Sequence, residues 1–369
     1  MEPYIHQKED WPQFKWNNDT ILTLLGNVRN LQGKIVGKME NLGFELKNEA
    51  VLATLTVDVI KSTEIEGEIL DPAQVRSSVA RRLGMQIENS VYSERNVDGV
   101  VDMLIDATQN FNSKLTQDRL FDWQASLFPT GRSGMYKIIV GDWRKDTTGP
   151  MQVVSGAMDK EKVHFEAPCS DLIDSEMKHF LQWFNSEQDI DPVLKAGIAH
   201  LWFITIHPFE DGNGRVSRAL TDLLLARADG ISQRYYSMSS QIRIDRKSYY
   251  DTLEKTQQST LDITIWLEWF LDCLIKALNE SDTVLKKVLY KHHFWNIHGV
   301  AIQNERQKIM LNKLLDNFNG KLTSSKWAKM TKCSNDTALR DIQDLIKKGI
   351  LRKELAGGRS TNYELVTLE

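Results

Sequence analysis

The chain has 369 residues, of which 41 % are hydrophobic and 26 % charged, the balance of an ordinary folded protein with material for two or three domains. Its formal net charge of −4 argues against a chain that coats nucleic acid along its whole length. Three widely spaced cysteines argue against a disulfide framework or a zinc site, and no apolar run is long enough to span a membrane. With no signal-peptide pattern at the N-terminus, we expect a cytoplasmic protein that makes no membrane contact.

Residues 1–90 are predicted to form an N-terminal helical domain. The second of its long helices should end at the acidic stretch 61–68, with Gly67 as its C-cap. Three glutamates at a helix C-terminus oppose the helix dipole, so by themselves they indicate a solvated acidic end. Apolar residues recur at helical spacing in both long segments: Ile21, Leu24, Leu25, Val28 and Leu31, then Val51, Leu52, Leu55, Val59 and Ile60.

Residues 91–280 are predicted to form a second, mainly helical domain with one interruption. In its middle part the sequence becomes rich in glycine and β-branched residues. Residues 151–155 and 162–165 are expected to be short strands joined by a turn at 156–160. An isolated hairpin is conspicuous in a helical protein, because its free edge offers main-chain hydrogen bonds to a partner.

The most informative stretch is His-Pro-Phe-Glu-Asp-Gly-Asn-Gly-Arg-Val-Ser-Arg at residues 207–218. Apolar residues at helical spacing predict buried helices on both sides, over 193–206 and 216–228. The polar run therefore lies in a loop and at the N-terminus of the second helix, where unpaired N–H groups and the helix dipole favour an anion. Its two glycines allow close approach to a phosphate, and the asparagine between them tolerates left-handed backbone angles.

The side chains of this stretch indicate phosphate chemistry. Arg215 and Arg218 are three residues apart, so both can face one anion from the same side of a helix. Asp211 supplies the oxygen ligand that Mg²⁺ prefers when it also keeps waters and phosphate oxygens. His207 can accept a proton at cellular pH. The arrangement calls for a nucleotide phosphate, a metal ion and a hydroxyl that is deprotonated.

At every fixed position this run matches the signature of the Fic family, His-Pro-Phe-x-Asp-Gly-Asn-Gly-Arg-x-x-Arg, and the chain is identified as a member. The resemblance implies a mainly α fold with a Fic-type helical core and a β-hairpin flap. It also implies transfer of AMP from ATP, with Mg²⁺, to a Ser, Thr or Tyr hydroxyl of a target protein and of the chain itself. The alternative is a helix cap whose histidine and arginines are structural. The implied roles are His207 as general base, Asp211 as metal ligand, and Gly212, Asn213, Gly214, Arg215 and Arg218 as nucleotide-binding residues.

The acidic stretch gains a second interpretation from the same family. The pattern Ser62-x-x-x-Glu66-Gly67 resembles the inhibitory helix of many Fic proteins, Ser/Thr-x-x-x-Glu-Gly/Asn. The resemblance implies that Glu66 forms an ion pair with Arg218, which is then withheld from the γ-phosphate of the nucleotide. This is physically reasonable, because a guanidinium binds a carboxylate and a phosphate with the same planar set of donors.

The resemblance also assigns a role to the predicted hairpin. In Fic proteins a flap just before the signature pairs main chain to main chain with the target segment, a form of strand addition. Here the flap residues would be Val153, Val154, Ser155 and Gly156. A purely structural hairpin is the alternative. Arg144, upstream of the first strand, is expected to brace the segment.

A tyrosine pair follows the signature. Related proteins line the adenine and ribose pocket with a Tyr-Tyr pair and an Asn or Gln eight residues beyond its first member, a spacing that Tyr249, Tyr250 and Gln257 fit. The resemblance therefore implies that these three residues bind the nucleotide. A core role for one of the tyrosines is an equal alternative, and glutamine in place of the commoner asparagine leaves the contact open.

The C-terminal part has a different charge. Residues 305–369 carry 13 basic and 8 acidic residues, a net charge of +5, whereas the rest of the chain carries −9. A connecting helix is predicted over 281–304, followed by helix, turn, helix and hairpin, an order that resembles a small winged helix-turn-helix domain. DNA binding through residues 321–365 is one expectation, and protein–protein contact is the other.

The sequence is also compatible with two other functions. One is a DNA-binding regulator whose Fic domain only senses nucleotide, which the intact His207 disfavours because a sensor needs no base there. Another is a Fic enzyme that uses a different donor or removes AMP. Homodimers are frequent in the family, so a homodimer is also expected.

Overall fold

A computed structural model of the chain describes residues 3–40, 42–87, 90–147, 149–155, 162–302, 304–316, 318, 320–354 and 361–367. Internal contacts divide the chain into two compact units, Met1–Val284 and Leu285–Glu369. The expected boundary at residue 90 lies inside the first unit and stays a prediction. Among the described residues, no helix is both long and apolar enough to cross a membrane.

The first unit is built almost entirely from helices. Its helices, in chain order, are α1 Asn18–Glu40, α2 Phe44–Ile65, α3 Pro72–Arg82, α4 Arg95–Gln109, α5 Gln117–Leu127, α6 Ser170–Asn185, α7 Pro192–Ile206, α8 Asn213–Asp229, α9 Met238–Ile244, α10 Arg246–Gln257 and α11 Thr264–His298, of which α11 continues past the unit boundary. Its strands are β1 Arg132–Ser133, β2 Tyr136–Lys137, β3 Gln152–Ser155 and β4 Lys162–Glu166. The prediction of a mainly α chain is confirmed.

Helices α7 and α8 form the centre of this unit and pack along each other. All residues of α7 from Val193 to Ile206 except Lys195 are buried, as expected for a helix that is apolar all round. The Asp191 carboxylate caps its first turn by accepting from the Val193 N–H, and Arg29 of α1 binds the same carboxylate at 2.7 and 3.1 Å. This N-cap fixes the start of α7.

Helix α2 brings the acidic stretch to the centre. It packs against α3, α4, α8 and α9, and it ends at Ile65, with Glu66 as C-cap. Gly67 follows in the left-handed region, at a φ of 88°, and the Glu68 N–H bonds back to the Thr63 carbonyl. This turn closes the helix and points the chain away from it, as a left-handed glycine after a helix C-cap does.

The predicted hairpin is present as β3 and β4. The strands are antiparallel, with a register shift between Val153 and Val154, and among the described residues neither strand pairs with a third. Gly156 and the rest of the expected turn lie outside the described residues. The hairpin therefore has the isolated form that the sequence indicated.

In its described part the second unit contains the end of α11, a 3-10 helix at Gly299–Ala301, three further α-helices and one strand pair. These three helices and the strand pair are α12 Glu305–Leu315, α13 Ser324–Thr331, α14 Asn335–Lys347, β5 Leu351–Lys353 and β6 Tyr363–Leu365. Thr323 and Ser334 cap α13 and α14 through their side-chain oxygens. A core that includes Met310, Trp327 and Ile342 joins the helices to the strands. The order of elements is the expected one, and the winged helix-turn-helix assignment stays a prediction.

Gly99 of α4 provides a test of the packing. A Cβ atom there would lie 1.8 Å from the Ser126 carbonyl oxygen of α5, whereas one at Gly33 of α1 would meet no atom within 4 Å. We expect Gly99→Ala to lower the free energy of unfolding by about 1–3 kcal/mol, because backbone must move. The control Gly33→Ala should raise it by about 0.5–1 kcal/mol. Chemical denaturation measures both, and equal effects would contradict the packing.

Candidate functional site

His207 stands at the end of α7 in a constrained geometry. Its backbone is left-handed, with a φ of 52°, and its N–H bonds to the Phe203 carbonyl at 3.0 Å. The ring Nδ1 lies 3.2 Å from the Ile204 carbonyl oxygen, an acceptor, so Nδ1 carries the proton and Nε2 keeps a free lone pair. Burial, above all, lowers the pKa of His207 to about 4. The ring is therefore neutral at neutral pH and presents Nε2 as a base.

Arg144 holds the loop that follows His207. Its side chain is 2 % exposed, its Nε donates to the His207 carbonyl at 2.8 Å, and its backbone N–H donates to the Pro208 carbonyl at 2.9 Å. The remaining guanidinium nitrogens bind the Asp146 carboxylate and the Pro168 carbonyl. Arg144 therefore connects the backbone of His207 to that of Pro168, just after β4. These bonds are consistent with the bracing role predicted for Arg144.

The loop is closed from within by Asn213. Its side-chain Oδ1 accepts from the Phe209 N–H at 3.0 Å and its Nδ2 donates to the Phe209 carbonyl at 2.8 Å. Asn213 is the first residue of α8, and the residue with left-handed angles is Gly212, at a φ of 92°. The tolerance of Asn213 for left-handed angles is therefore not used, because Gly212 takes that conformation. With both amide atoms engaged, its side chain holds the loop and leaves only its backbone to an anion.

Arg218 is the most constrained charge in the site. It is 3 % exposed, and its Nη2 donates to the Glu66 carboxylate at 2.6 Å. Its Nε and Nη2 also donate, at 2.9 Å each, to the hydroxyl and the carbonyl of Ser62. Its Nη1 is buried and has no hydrogen-bond partner among the described residues. The end of α2 thus surrounds this guanidinium with oxygen atoms.

The Glu66 carboxylate lies directly over the first turn of α8. A Cβ atom on Gly214 would be 2.2 Å from Glu66 Oε1, so glycine is needed here for the close approach of the carboxylate. Burial would raise the pKa of Glu66, but the charge and hydrogen bond of Arg218 outweigh it, with Arg215 and Arg246 acting in the same direction. Glu66 therefore stays ionised and occupies the anion position at the helix N-terminus.

Arg215 carries the second buried positive charge. It is 2 % exposed, its guanidinium carbon is 5.0 Å from the centre of the Phe128 ring, and its Nε has no hydrogen-bond partner among the described residues. Both carboxylate oxygens of Glu68 lie 3.4 Å from its Nη1. This pair is long, and the Glu68 side chain is 53 % exposed, so Arg215 is held more loosely than Arg218.

Asp211 could hold a metal ion only together with ligands that the protein does not supply in its described part. Its side chain is 40 % exposed, Oδ1 accepts from the Gly212 N–H at 2.5 Å, and Oδ2 accepts from the Ser133 hydroxyl. The described residues contain no cluster of three or more metal-ligating side chains. A single accessible carboxylate beside an anion site fits Mg²⁺ that arrives with phosphate oxygens, which is how Mg²⁺ usually binds.

The three expected pocket residues occupy different environments. Tyr249 is 1 % exposed, and its hydroxyl is 2.8 Å from His200 Nε2 in a buried chain that continues to Thr221. Gln257 is also buried and donates to the Thr205 hydroxyl at 3.1 Å. For Tyr249 the core alternative therefore describes this geometry, because its ring and hydroxyl are already engaged. Tyr250 is 38 % exposed and remains the pocket candidate.

Helix α10 connects the flap to this region. Glu254 binds Lys162 at 3.0 Å and the His164 ring at 2.6 Å, and Gln258, just past the helix, donates to the His164 carbonyl at 2.8 Å. Tyr250, one turn before Glu254, lies beside Arg246, whose guanidinium carbon is 5.4 Å from the ring centre. The hairpin is thus fastened to the helix that carries the exposed pocket candidate.

Several site residues gave no recognisable signal in the sequence. Glu68 was part of an acidic stretch, and Arg246, Phe128 and Ser133 stand in no motif. Glu210, the variable position of the signature, accepts from the Ile139 N–H at 2.8 Å and so anchors the preceding loop. Glu68 is the exception, because it is one of three glutamates at the end of α2 that oppose the helix dipole and so call for nearby positive charges.

Comparison with known proteins shows which proteins the region of the site is similar to. Residues 114–225 match the model described as the Fic/DOC family, and residues 4–85 match a model described as a domain of unknown function, DUF4172. The chain is 38 % identical over 105 residues to the protein adenylyltransferase Fic of Aedes aegypti and 37 % identical over 105 residues to that of Drosophila mojavensis. These matches cover 28 % of this chain and 19 % of each relative, so the chain spans about a fifth of their length.

Two solved structures share the fold. A Fic family protein from Desulfovibrio desulfuricans G20 aligns with a TM-score of 0.56 at 19 % identity, covering 95 % of this chain and 97 % of its own. A Fic domain containing signaling protein from Bacteroides thetaiotaomicron VPI-5482 aligns with a TM-score of 0.50 at 22 % identity, covering 72 % and 97 %. The architecture built around residues 207–218 is thus one that Fic proteins share.

Three histidines with lowered pKa values predict how stability depends on pH. Burial lowers the pKa of His207 and His6 to about 4 and that of His200 to about 3. Between pH 6.5 and about 4 the unfolded chain binds protons that the folded chain does not, so stability falls as the pH falls. Each such group contributes a slope of up to about 1.4 kcal/mol per pH unit.

We expect His207→Asn to reduce this slope, because asparagine tolerates the left-handed backbone and has no imidazole. Denaturant titrations of the wild type and the variant at several pH values between 4 and 7 measure the difference. Identical slopes would contradict a neutral His207 with a lowered pKa.

Proposed function

Because residues 114–225 form a Fic domain, we propose that this chain is a protein adenylyltransferase that transfers AMP from ATP to a Ser, Thr or Tyr hydroxyl of a target protein and of itself. The names of its curated relatives support the reaction. The observation that carries the proposal is a neutral imidazole at the end of α7, followed within the first six residues of α8 by two buried arginines that each keep a nitrogen without a partner among the described residues.

The acceptor hydroxyl would be deprotonated by His207. The bond from its Nδ1 to the Ile204 carbonyl leaves Nε2 as the only proton acceptor of the neutral ring. The hydroxyl oxygen then attacks the α-phosphorus in line, the bond to the β-phosphate oxygen breaks, and pyrophosphate leaves. Arg144, through its bond to the His207 carbonyl, keeps the base in place during this step.

The triphosphate would bind where Glu66 and Glu68 now lie. The N–H groups of Gly212, Asn213 and Gly214, with Arg215 and Arg218, supply the positive field that the leaving pyrophosphate requires. Asp211 would hold Mg²⁺, which neutralises phosphate charge when bound. Tyr250 has an exposed ring that is suited to stack on the adenine of ATP.

Autoinhibition by Glu66 forms the second part of the proposal. The carboxylate occupies Arg218 at 2.6 Å and covers the first turn of α8, so it competes with phosphate for both. Glu68 does the same at Arg215, over a longer distance. Removing one partner of a buried ion pair leaves an uncompensated charge that costs about 3–5 kcal/mol, and an incoming phosphate restores the compensation.

The hairpin would hold the target segment. Val154 and Val163 expose 44 % and 41 % of their surface, and no third described strand pairs with the sheet, so a peptide can add along its edge. In this proposal the flap residues are Val153, Val154, Ser155 and Gly156, of which Gly156 lies outside the described residues.

Other expectations stay predictions. DNA binding through residues 321–365 draws support from the +5 charge and from α13 and α14, which a turn of three residues joins. The homodimer, the cytoplasmic location and ATP rather than another nucleotide as donor belong to the same group. Competition between labelled ATP, GTP, UTP and CTP identifies the donor.

His207→Ala should lower AMP transfer by about 10²–10⁴-fold, because the acceptor hydroxyl loses its base. The measurement is label transfer from ATP marked in its AMP moiety, with circular dichroism and the unfolding midpoint as checks that the variant folds. Undiminished labelling by a folded variant would exclude the general-base role.

Glu66→Gly should raise labelling about tenfold or more, because Arg218 is released to bind phosphate. Glu68→Gly should raise it less, since its contact is longer and more exposed. Glu64→Gly is the matched control on the same segment: Glu64 binds Lys61 and Arg243, not the signature arginines, so labelling should not rise. Equal rates for Glu66→Gly and the wild type would refute the inhibitory role.

A further inference from the structure

The segment 131–141 is bound to the loop that carries Asp211. The Ser133 hydroxyl donates to Asp211 Oδ2, and the Ile139 N–H donates to the Glu210 carboxylate at 2.8 Å. Ser133 precedes Asp211 by 78 residues and lies outside the signature. Two adjacent side chains of the signature are therefore held by one segment that is distant in the sequence.

The position of Ser133 is itself fixed by the fold. Ser133 pairs with Tyr136 in the β1–β2 hairpin. Beyond the hairpin, the Gln124 side chain of α5 donates to the Ile139 carbonyl at 3.3 Å and accepts from the Gly141 N–H at 2.8 Å. Gln124 is fully buried, so the segment that presents the Ser133 hydroxyl is attached to the interior of the unit.

The Asp211 carboxylate is held by two neutral donors, one on each oxygen. Oδ1 accepts from the Gly212 N–H at 2.5 Å, and Oδ2 accepts from the Ser133 hydroxyl. A carboxylate offers about four acceptor positions, so each oxygen keeps one for a cation. Arg215 Nη2 lies 4.0 Å from Oδ1, at the limit of an ion pair. The two donors thus orient the carboxylate without adding a positive charge that would oppose a metal ion.

We propose that Ser133 is a positioning residue for Asp211, whose carboxylate it fixes in the orientation that binds Mg²⁺ together with the nucleotide. This inference rests on the proposed function, and there only on Asp211 as the metal ligand. Without the Ser133 hydroxyl, Oδ2 loses this donor, and the carboxylate can turn about its Cβ–Cγ bond. Removal of a group that orients a metal ligand typically lowers metal affinity by about 10–100-fold.

The test uses the full chain carrying Glu66→Gly as the parent and an ATP analogue with a methylene group between its α- and β-phosphates. Isothermal titration calorimetry gives the dissociation constant of the analogue with Mg²⁺ and with a chelator in place of Mg²⁺. The ratio of the two constants measures how much the metal ion strengthens binding. Ser133→Ala should reduce this ratio by about 10–100-fold and leave the constant measured with the chelator unchanged.

Ser126→Ala is the matched control. Ser126 lies in α5, and its hydroxyl donates to the Asp122 carbonyl of the same helix at 2.8 Å. Its replacement should leave the ratio at the value of the parent. An equal loss in Ser126→Ala and Ser133→Ala, or a parental ratio in Ser133→Ala, overturns the inference.

A double-mutant cycle separates action through Asp211 from a general effect on the fold. In a parent that also carries Asp211→Ala, Ser133→Ala should change neither dissociation constant, because no carboxylate is left to position. A further weakening of nucleotide binding in that background would show that Ser133 acts by another route and would overturn its role.

The outcomes also separate this inference from the proposed function. AMP transfer by the parent, together with an unchanged ratio in Ser133→Ala, overturns the role of Ser133 and leaves adenylyl transfer intact. A ratio that Ser133→Ala lowers, in a parent that transfers no AMP, overturns the proposed reaction and supports the role of Ser133. A ratio near one in the parent overturns the roles of both Asp211 and Ser133.

Discussion

The structure depends on the burial of two positive charges beside the first turn of α8. Arg218 is 3 % exposed and Arg215 is 2 % exposed, and each keeps a nitrogen without a hydrogen-bond partner among the described residues. A charge in such a place is tolerated only when an anion compensates it. The chain supplies Glu66 and Glu68 from the end of α2, and a nucleotide would supply phosphates. Because the same donors would serve both anions, the proposed inhibition and the proposed nucleotide binding are alternative ways to compensate the same buried charges.

The helices around the site hold its loop in one conformation. Helices α7 and α8 are buried, so the loop between them has fixed ends. Within it His207 adopts left-handed angles, Asn213 closes the loop on Phe209, and Arg144 binds the His207 carbonyl. A base that must meet a hydroxyl within hydrogen-bonding distance benefits from such rigidity, because misplacement by an ångström is costly in rate.

Helix α10 carries both the exposed Tyr250 and the carboxylate that binds the hairpin. On one turn it carries Tyr250, whose ring lies beside Arg246, and on the next it carries Glu254, which binds His164 and Lys162 of the hairpin. The hairpin and the side chain proposed to stack on adenine are therefore held by one helix. Within the hairpin, the Ser155 hydroxyl lies 2.5 Å from His164 Nε2.

The sequence alone determined the helical character, the hairpin and the chemistry of residues 207–218, because helical periodicity and a dense polar motif are local properties of the chain. It also proposed the pairing of Glu66 with Arg218, although only by resemblance. Tertiary structure decided what depends on distant neighbours: that Tyr249 is buried against His200, that the amide of Asn213 serves the loop, and that Glu68 reaches Arg215. Burial and ion pairing join residues far apart in the chain, and no local pattern records which of them will meet.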